Sequence, residues 1–309
     1  MRRWNSMRER VEEYLSTRRS MGYKLKIEGG RLLRFAQFAD KDGKPKSLTI
    51  DLVTSWANDT PSRMNRARRI EMVRGLAKYC ALFEPQTEIP PSRLLGAAHR
   101  RVTPYIYSTK EVWDLMQVAA KLNSGKGMRP PTIKCLIGLL SSTGLRIAEA
   151  LNLSNEDVDF QNALVVVRET KFGKSRYVPL HPTTVVALND YTRLRKRLMS
   201  DAIDNNAFFM LENGPLNYRQ ALYSFQSIRN QLSWRVNCRS RFHDFRHTFA
   251  CNRLLAWYAQ GIDVNNAIMM LSTYLGHTKV TDTYWYLTGV PALMSAAAER
   301  FEHLTGGDP

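Results

Sequence analysis

Apolar residues recur at three- and four-residue steps through most of this chain, with charged residues between them, so helices are expected to dominate. The pattern runs over 7–20, where Val11, Tyr14 and Leu15 share a face, and over 25–39, with Leu32, Leu33, Phe35, Ala36 and Phe38. A short helix at 50–58 carries Leu52, Val53 and Trp56. A longer one at 62–83 carries Met64, Ala67, Met72, Val73, Leu76 and Tyr79. The period is then lost. Residues 85–104 hold Pro85, Pro90, Pro91 and Pro104 and read as an interdomain linker. The chain is thus expected to comprise a helical domain at 1–84, a linker at 85–104 and a second domain at 105–309.

Helical spacing returns after Ser108, a capping residue with Glu111 three positions on. That helix carries Val112, Leu115, Met116 and Ala119. Ile133, Leu136, Ile137, Leu139 and Leu140 make the helix at 131–143 a buried one. It delivers Thr143-Gly144-Leu145-Arg146, and a further helix begins there with Ile147, Ala148, Ala150 and Leu151. The pattern then changes. Leu164-Val165-Val166-Val167 is a strand by its β-branched content, and Arg176-Tyr177-Val178-Pro179-Leu180 is the return strand. Lys171-Phe172-Gly173-Lys174 is the turn region between them. Helices follow at 182–198, 217–232, 243–259 and 264–274, while 207–211 takes no assignment. The expected fold class is mainly α with a small antiparallel β-sheet.

Charge changes the picture. The 309 residues include 45 Lys and Arg against 28 Asp and Glu, a net charge of +17. The first hundred residues alone hold 21 basic and 11 acidic side chains, so both parts are basic. Such a surface attracts polyanions, nucleic acid above all. Arg63, Arg66, Arg68, Arg69 and Arg74 go round more than one face of their helix, and they are expected to reach phosphates. Arg93, His99, Arg100 and Arg101 would continue that track along the linker. Cys80, Cys135, Cys238 and Cys251 lie far apart, with neither zinc spacing nor a disulfide framework. They read as reduced thiols of a cytoplasmic protein. No apolar run is long enough to span a bilayer, and no signal peptide is visible.

The chemistry concentrates between His243 and Tyr286. His243-Asp244-Phe245-Arg246-His247 puts His243 and Arg246 on one helical face. Leu275-Gly276-His277 follows, and Tyr286 lies nine residues further on. Upstream, Arg146 comes after an apolar helix and a Thr-Gly turn, a costly place for an unpaired cation. Arg146 and Arg246 each offer a planar fork of donors suited to phosphate. No carboxylate cluster suggests a two-metal site and no phosphate-cradling loop suggests ATP, so neither metal nor cofactor is expected.

These elements, in this order, resemble the tyrosine recombinase (phage-integrase) family. The resemblance covers about 105–290 closely and the first domain only in architecture. It implies a helical core-binding domain and a catalytic domain that close on double-stranded DNA as a clamp. It implies that Arg146, Lys171, His243, Arg246, His277 and Tyr286 are catalytic. Tyr286 would be the nucleophile, forming a 3′-phosphotyrosine, and Lys171 the acid on the leaving 5′ oxygen. His243 would contact the phosphate and assist proton transfer, and His277 would donate a hydrogen bond to it. Lys174 competes with Lys171, and Tyr284 with Tyr286, since residues two apart on a helix point to nearly opposite faces. Glu149 would orient Arg146 or its helix. His247 and His181 match no catalytic position.

The function implied is site-specific recombination for a mobile element: integration, excision or transposition. A homotetrameric synapse, or one shared with related recombinases, would be the working assembly. The alternatives are a topoisomerase of the same chemistry and a DNA-binding accessory protein without turnover. Beyond the nucleophile, Pro291 would open a C-terminal helix whose apolar stripe is Leu293, Ala297, Phe301 and Leu304.

Overall fold

A computed structural model describes residues 4–41, 47–98, 103–122, 127–168, 175–199, 206–234, 240–289 and residues 294, 295 and 298. Lys171, Lys174, Cys238, His99, Arg100, Arg101 and the stripe from Leu293 to Leu304 lie outside these residues. The chain divides into two compact units, Met1–Val102 and Thr103–Pro309.

The first unit consists of α1 (Met7–Ser20), α2 (Lys26–Ala39), α3 (Ile50–Asn58), α4 (Arg63–Cys80) and an irregular tail. Ser6, Thr49 and Ser62 cap α1, α3 and α4 by accepting a backbone N–H in the first turn, the role their hydroxyls suit best. Most of the apolar residues read from the sequence meet in one core around Val11, Leu32, Phe35, Val53, Val73 and Leu76, joined by Met7 and Ile70, whereas Met64 is exposed at the start of α4. Arg10 and Glu84 are buried beside that core as a paired salt bridge, with two bonds of 2.9 Å.

The proline-rich segment expected as a linker is tied to this unit as far as Ala98. Glu88 N–H donates to Leu48 O, and the Glu88 carboxylate accepts Ile50 N–H. The α4 arginines complete the attachment. Arg74 Nε donates to Pro90 O at 2.9 Å and Arg68 Nε to Ala98 O at 3.1 Å. Arg66 and Arg69 donate to the carbonyls of Thr60 and Trp56 in the same way. Four of the five helix arginines therefore have backbone partners within their own unit. Proline removes donors and helical period from such a segment, but leaves its carbonyls to accept.

The second unit is organised around α6 (Arg129–Thr143), whose Ile133, Leu136, Ile137 and Leu140 are fully buried. It packs against α5 (Thr109–Ala120), α8 (Pro182–Leu198) and α10 (Phe242–Ala259). α5 begins with the expected capping box of Ser108 and Glu111. After α7 (Ile147–Leu151), strands β1 (Val158–Asp159), β2 (Leu164–Val167) and β3 (Arg176–Pro179) form an antiparallel sheet in that order. Val167 and Arg176 are the last paired residues before the β2–β3 turn. A small hairpin, β4 (Met210–Leu211) and β5 (Gly214–Pro215), occupies the region left unassigned, and α9 (Tyr218–Arg229) follows. α11 (Val264–Leu275) and α12 (Thr281–Gly289) pack with α10 through Ala250, Cys251, Leu254, Leu271, Leu275 and Tyr286. The fold is mainly helical with a small antiparallel sheet, as the sequence pattern indicates. No helix among the described residues is long and apolar enough to cross a membrane.

Candidate active site

Two glycines shape the site. Gly144 ends α6 with φ +64°, and Gly276 ends α11 with φ +66°, the left-handed conformation that closes helices and strains other residues. Both also permit close approach. A Cβ on Gly144 would lie 2.8 Å from the Phe249 ring, and one on Gly276 would lie 2.9 Å from Arg176 Nη1. The exposed carbonyls at these helix ends then take arginines. Helices end with carbonyls that lack an intrahelical partner and carry the negative pole of the dipole, which favours guanidinium there.

At the end of α11 three successive carbonyls each accept from a different arginine. Tyr274 O accepts Arg176 Nε at 2.8 Å, Leu275 O accepts Arg246 Nη2 at 2.5 Å, and Gly276 O accepts Arg146 Nη2 at 3.1 Å. Arg246 also donates through Nη1 to Gly144 O at 3.1 Å. The two arginines singled out in the sequence, 100 positions apart, are thereby brought to one place. Arg246 is only 1% exposed, and burial, followed by the charge of Arg146, pushes its pKa down to about 10. Arg146 is 36% exposed and reaches solvent.

Glu149 sits between Arg146 and Arg176. Its carboxylate accepts Arg146 N–H at 2.9 Å and Arg146 Nη1 at 2.7 Å, and a paired contact from Arg176 at 3.1 and 2.9 Å. Burial alone would raise its pKa, but the bonds from Arg176 and Arg146 outweigh this and hold it at about 2. The carboxylate is thus ionised and its acceptor sites are filled.

Tyr286 lies on this cluster. Its ring is 2% exposed, whereas Tyr284 is 42% exposed, so the two rivals are sorted by burial onto different faces of α12. Burial raises the Tyr286 pKa, and the charge and hydrogen bonding of Arg246 oppose that rise. The His277 ring stacks 6.1 Å from the Tyr286 ring, with Nδ1 2.7 Å from Thr283 Oγ1. His243 reaches solvent at the start of α10, 4.6 Å ring to ring from His247. His247 itself is buried and meets Tyr286 edge-on at 5.4 Å.

All three imidazoles are kept neutral. Loss of hydration, aided by the nearby arginines, pushes His243 down to about 4 and His277 to about 3. His247 falls to about 3 for the same first reason, aided next by His243. The structure therefore gathers Arg146, His243, Arg246, His277 and Tyr286. Lys171 lies outside the described residues, although β2 and β3 lead into its turn.

The sequence assigns Arg176 no role of its own, and His247 no more than orienting its neighbours. Arg176 is the arginine of the Lys-x-Gly-Lys-x-Arg pattern that begins at Lys171, but nothing in the sequence pairs it with Glu149. No cluster of three or more His, Cys, Asp or Glu side chains able to hold a metal occurs among the described residues.

A buried tyrosine facing two arginines and three neutral imidazoles makes a site suited to phosphoryl transfer. The chain belongs to the phage integrase family, the tyrosine site-specific recombinases, whose family model matches residues 107–290. A Sinorhizobium fredii protein that bears the name integrase/recombinase y4rB is 39% identical over 96% of this chain and 98% of its own length. Tyrosine recombinase XerC of Chlamydia trachomatis is 29% identical over 73% of this chain and 67% of its own. Among solved structures, the integrase of transposon Tn1549, in complex with transposon right-end DNA, aligns over 97% of this chain and 100% of its own. The TM-score is 0.70 at 17% identity, a likeness of fold.

Proposed function

We propose that this protein recombines DNA for a mobile element, cleaving and rejoining double-stranded DNA at specific sites through a 3′-phosphotyrosine. The observation that carries this reading is the convergence of Arg146 and Arg246 on adjacent carbonyls beside His277, with Tyr286 packed against them. The near end-to-end relationship to y4rB, named as an integrase/recombinase, supports the mobile-element setting.

In the proposed reaction the Tyr286 oxygen attacks the scissile phosphorus. A P–O bond to tyrosine forms and the bond to the 5′ oxygen breaks. Arg146 and Arg246 stabilise the charge on the non-bridging oxygens, the largest share of such catalysis. His243 is neutral at physiological pH, so a ring nitrogen can take the tyrosine proton, and the phosphate beside it offsets the burial and arginine charges that weaken it as a base in the free protein. Lys171 supplies the proton to the leaving 5′ oxygen. With the Thr283 hydroxyl donating to Nδ1, the neutral His277 ring carries its proton on Nε2, from which it donates to phosphate. Attack by a partner strand's 5′ hydroxyl reverses the chemistry and joins new ends. Exchange between two duplexes requires four such cleavages, hence four protomers, of this chain or with related recombinases.

Duplex DNA with a nick beside the cleavage site loses the short 5′ strand after attack, so the covalent protein–DNA adduct accumulates. The wild-type protein and Tyr284→Phe are expected to form this adduct, and Tyr286→Phe to form none while still binding DNA. An adduct with Tyr286→Phe, or its loss with Tyr284→Phe, moves the nucleophile elsewhere.

A further inference from the structure

The end of α11 holds one more arginine than the proposed chemistry uses. Arg146 and Arg246 account for the contacts to phosphate. Arg176 binds the same helix end one carbonyl earlier, through Nε to Tyr274 O, and spends both Nη atoms on Glu149. It is 12% exposed on its side chain and faces inward, so it is a poor candidate for touching DNA.

Its placement is nonetheless specific. Gly276 leaves room for the Arg176 guanidinium, because a Cβ there would overlap Nη1 at 2.9 Å. Val167 and Arg176 pair at the mouth of the β2–β3 turn, so this one side chain joins the sheet to both α7 and α11. Glu149 has only one carboxylate to share. Two of its contacts hold Arg146 and two hold Arg176.

Without Arg176, Glu149 would face Arg146 alone, and the α11 end would lose the strut that fixes Tyr274, two residues before Gly276. The Arg146 fork is set by Glu149 on one side and by Gly276 O on the other. Both of those settings run back to Arg176. The local charge balance also matters. Three guanidinium groups and one carboxylate leave a net positive site for a phosphodiester, and Glu149 keeps the arginines from repelling one another apart.

We infer that Arg176 is a positioning residue of the active site, which acts through Glu149 and the α11 end to aim Arg146 at the scissile phosphate. The inference rests on the reading of Arg146 as a phosphate clamp. A misplacement of about 1 Å in such a group can lower a rate by about 10²-fold, so loss of Arg176 should slow cleavage by roughly 10- to 100-fold. DNA affinity should stay within about twofold, because the side chain is turned away from solvent.

The test is a double-mutant cycle on single-turnover cleavage of nicked DNA at saturating protein, with Arg176→Ala, Arg146→Ala and the pair. Coupled residues give strongly non-additive effects. If Arg176 works through Arg146, Arg176→Ala should cost little once Arg146 is gone. An equal loss in both backgrounds means a role in folding alone and overturns the inference. Wild-type cleavage by Arg176→Ala also overturns it. If Arg146→Ala itself cleaves normally, the phosphate-clamp reading fails first, and that outcome is separately visible. Should Arg176→Ala fail to fold, Arg176→Lys carries the same cycle, since it keeps the charge but not the paired donors.

Discussion

Two arginines, Arg10 in the first unit and Arg246 in the second, are buried to the same extent, each 1% exposed. Their surroundings differ. Arg10 is neutralised by a paired contact to Glu84, itself 4% exposed. Arg246 has two carbonyl oxygens and the Tyr286 hydroxyl as its partners, and no carboxylate lies within salt-bridge distance of it among the described residues. Carbonyls orient a guanidinium but bring no full negative charge. A buried cation with no carboxylate in direct contact is costly, and Glu149 offsets only part of the charge of the arginine cluster, so the site as a whole favours an added anion. Under the proposed function the same functional group serves the fold in one unit and chemistry in the other, and what separates the two is whether a carboxylate of the chain is in direct contact with the guanidinium.

This contrast predicts opposite consequences of removal. Arg246→Ala should lower cleavage by roughly 10²–10³-fold, the usual cost of one donor to a charged transition state, with little loss of melting temperature. Arg10→Ala should do the reverse. It strands Glu84 and should destabilise the first unit by about 3–5 kcal/mol, while folded molecules still form the adduct. Replacing both partners, as Arg10→Met with Glu84→Leu, should recover most of that stability. Chemical denaturation and adduct yield, measured on the same preparations, decide the matter. Equal stability losses for Arg246→Ala and Arg10→Ala would remove the distinction.

A smaller effect follows from the imidazoles. His243, His247 and His277 have pKa values lowered to about 4, 3 and 3, against an ordinary value of 6.5. Below pH 6.5 the unfolded chain binds protons at these rings that the fold does not, so stability falls as pH falls. The loss should begin near pH 6.5 and grow towards pH 4, the reverse of a histidine held by a carboxylate. Bound DNA presents anions to the rings and should flatten the slope. Melting curves between pH 7 and 5, with and without DNA, test this. His277→Asn should reduce the slope in the free protein, and an unchanged slope would place the proton uptake elsewhere.

Much of this was legible in the sequence, for a physical reason. Helical period, capping residues and the β-branched run at Leu164–Val167 are local signals, and the elements they predict lie where expected. The histidine–arginine pair on α10 and the step from His277 to Tyr286 are likewise local spacings. Arg176 and Glu149 could not be paired, because their contact depends on how a sheet meets two helix ends. The segment from Pro85 to Ala98 shows the same limit. Its prolines correctly signal irregular backbone, but the same composition suits a free linker and a strap held by arginine bonds. The burial of Arg10 is equally invisible, since it sits in a stretch that reads as an ordinary charged helix, and the spacing that marks Arg246 does not tell how deeply it is buried.

The smallest expected effect on DNA binding and cleavage concerns the strap arginines of α4, the half-buried counterpart of the buried pair. Arg74 donates through Nε to Pro90 O and is part-buried there. Were it mainly a phosphate contact, as its place in a basic run first suggests, Arg74→Ala would lower the log–log salt slope of DNA binding by about 0.9. As a strap it should leave that slope alone. Its loss should instead cost about 1.5–3 kcal/mol, the range of a hydrogen bond with one charged partner, and loosen Pro85 to Ala98. Hydrogen exchange at Glu88 reads this locally, because its N–H is bonded to Leu48 O only while the segment stays docked. Faster exchange there with an unchanged salt slope identifies a strap, and slow exchange with a reduced slope identifies a phosphate contact. Cleavage of saturated DNA should be normal in either case, since Arg74, unlike Arg246, has no part in the site around Tyr286.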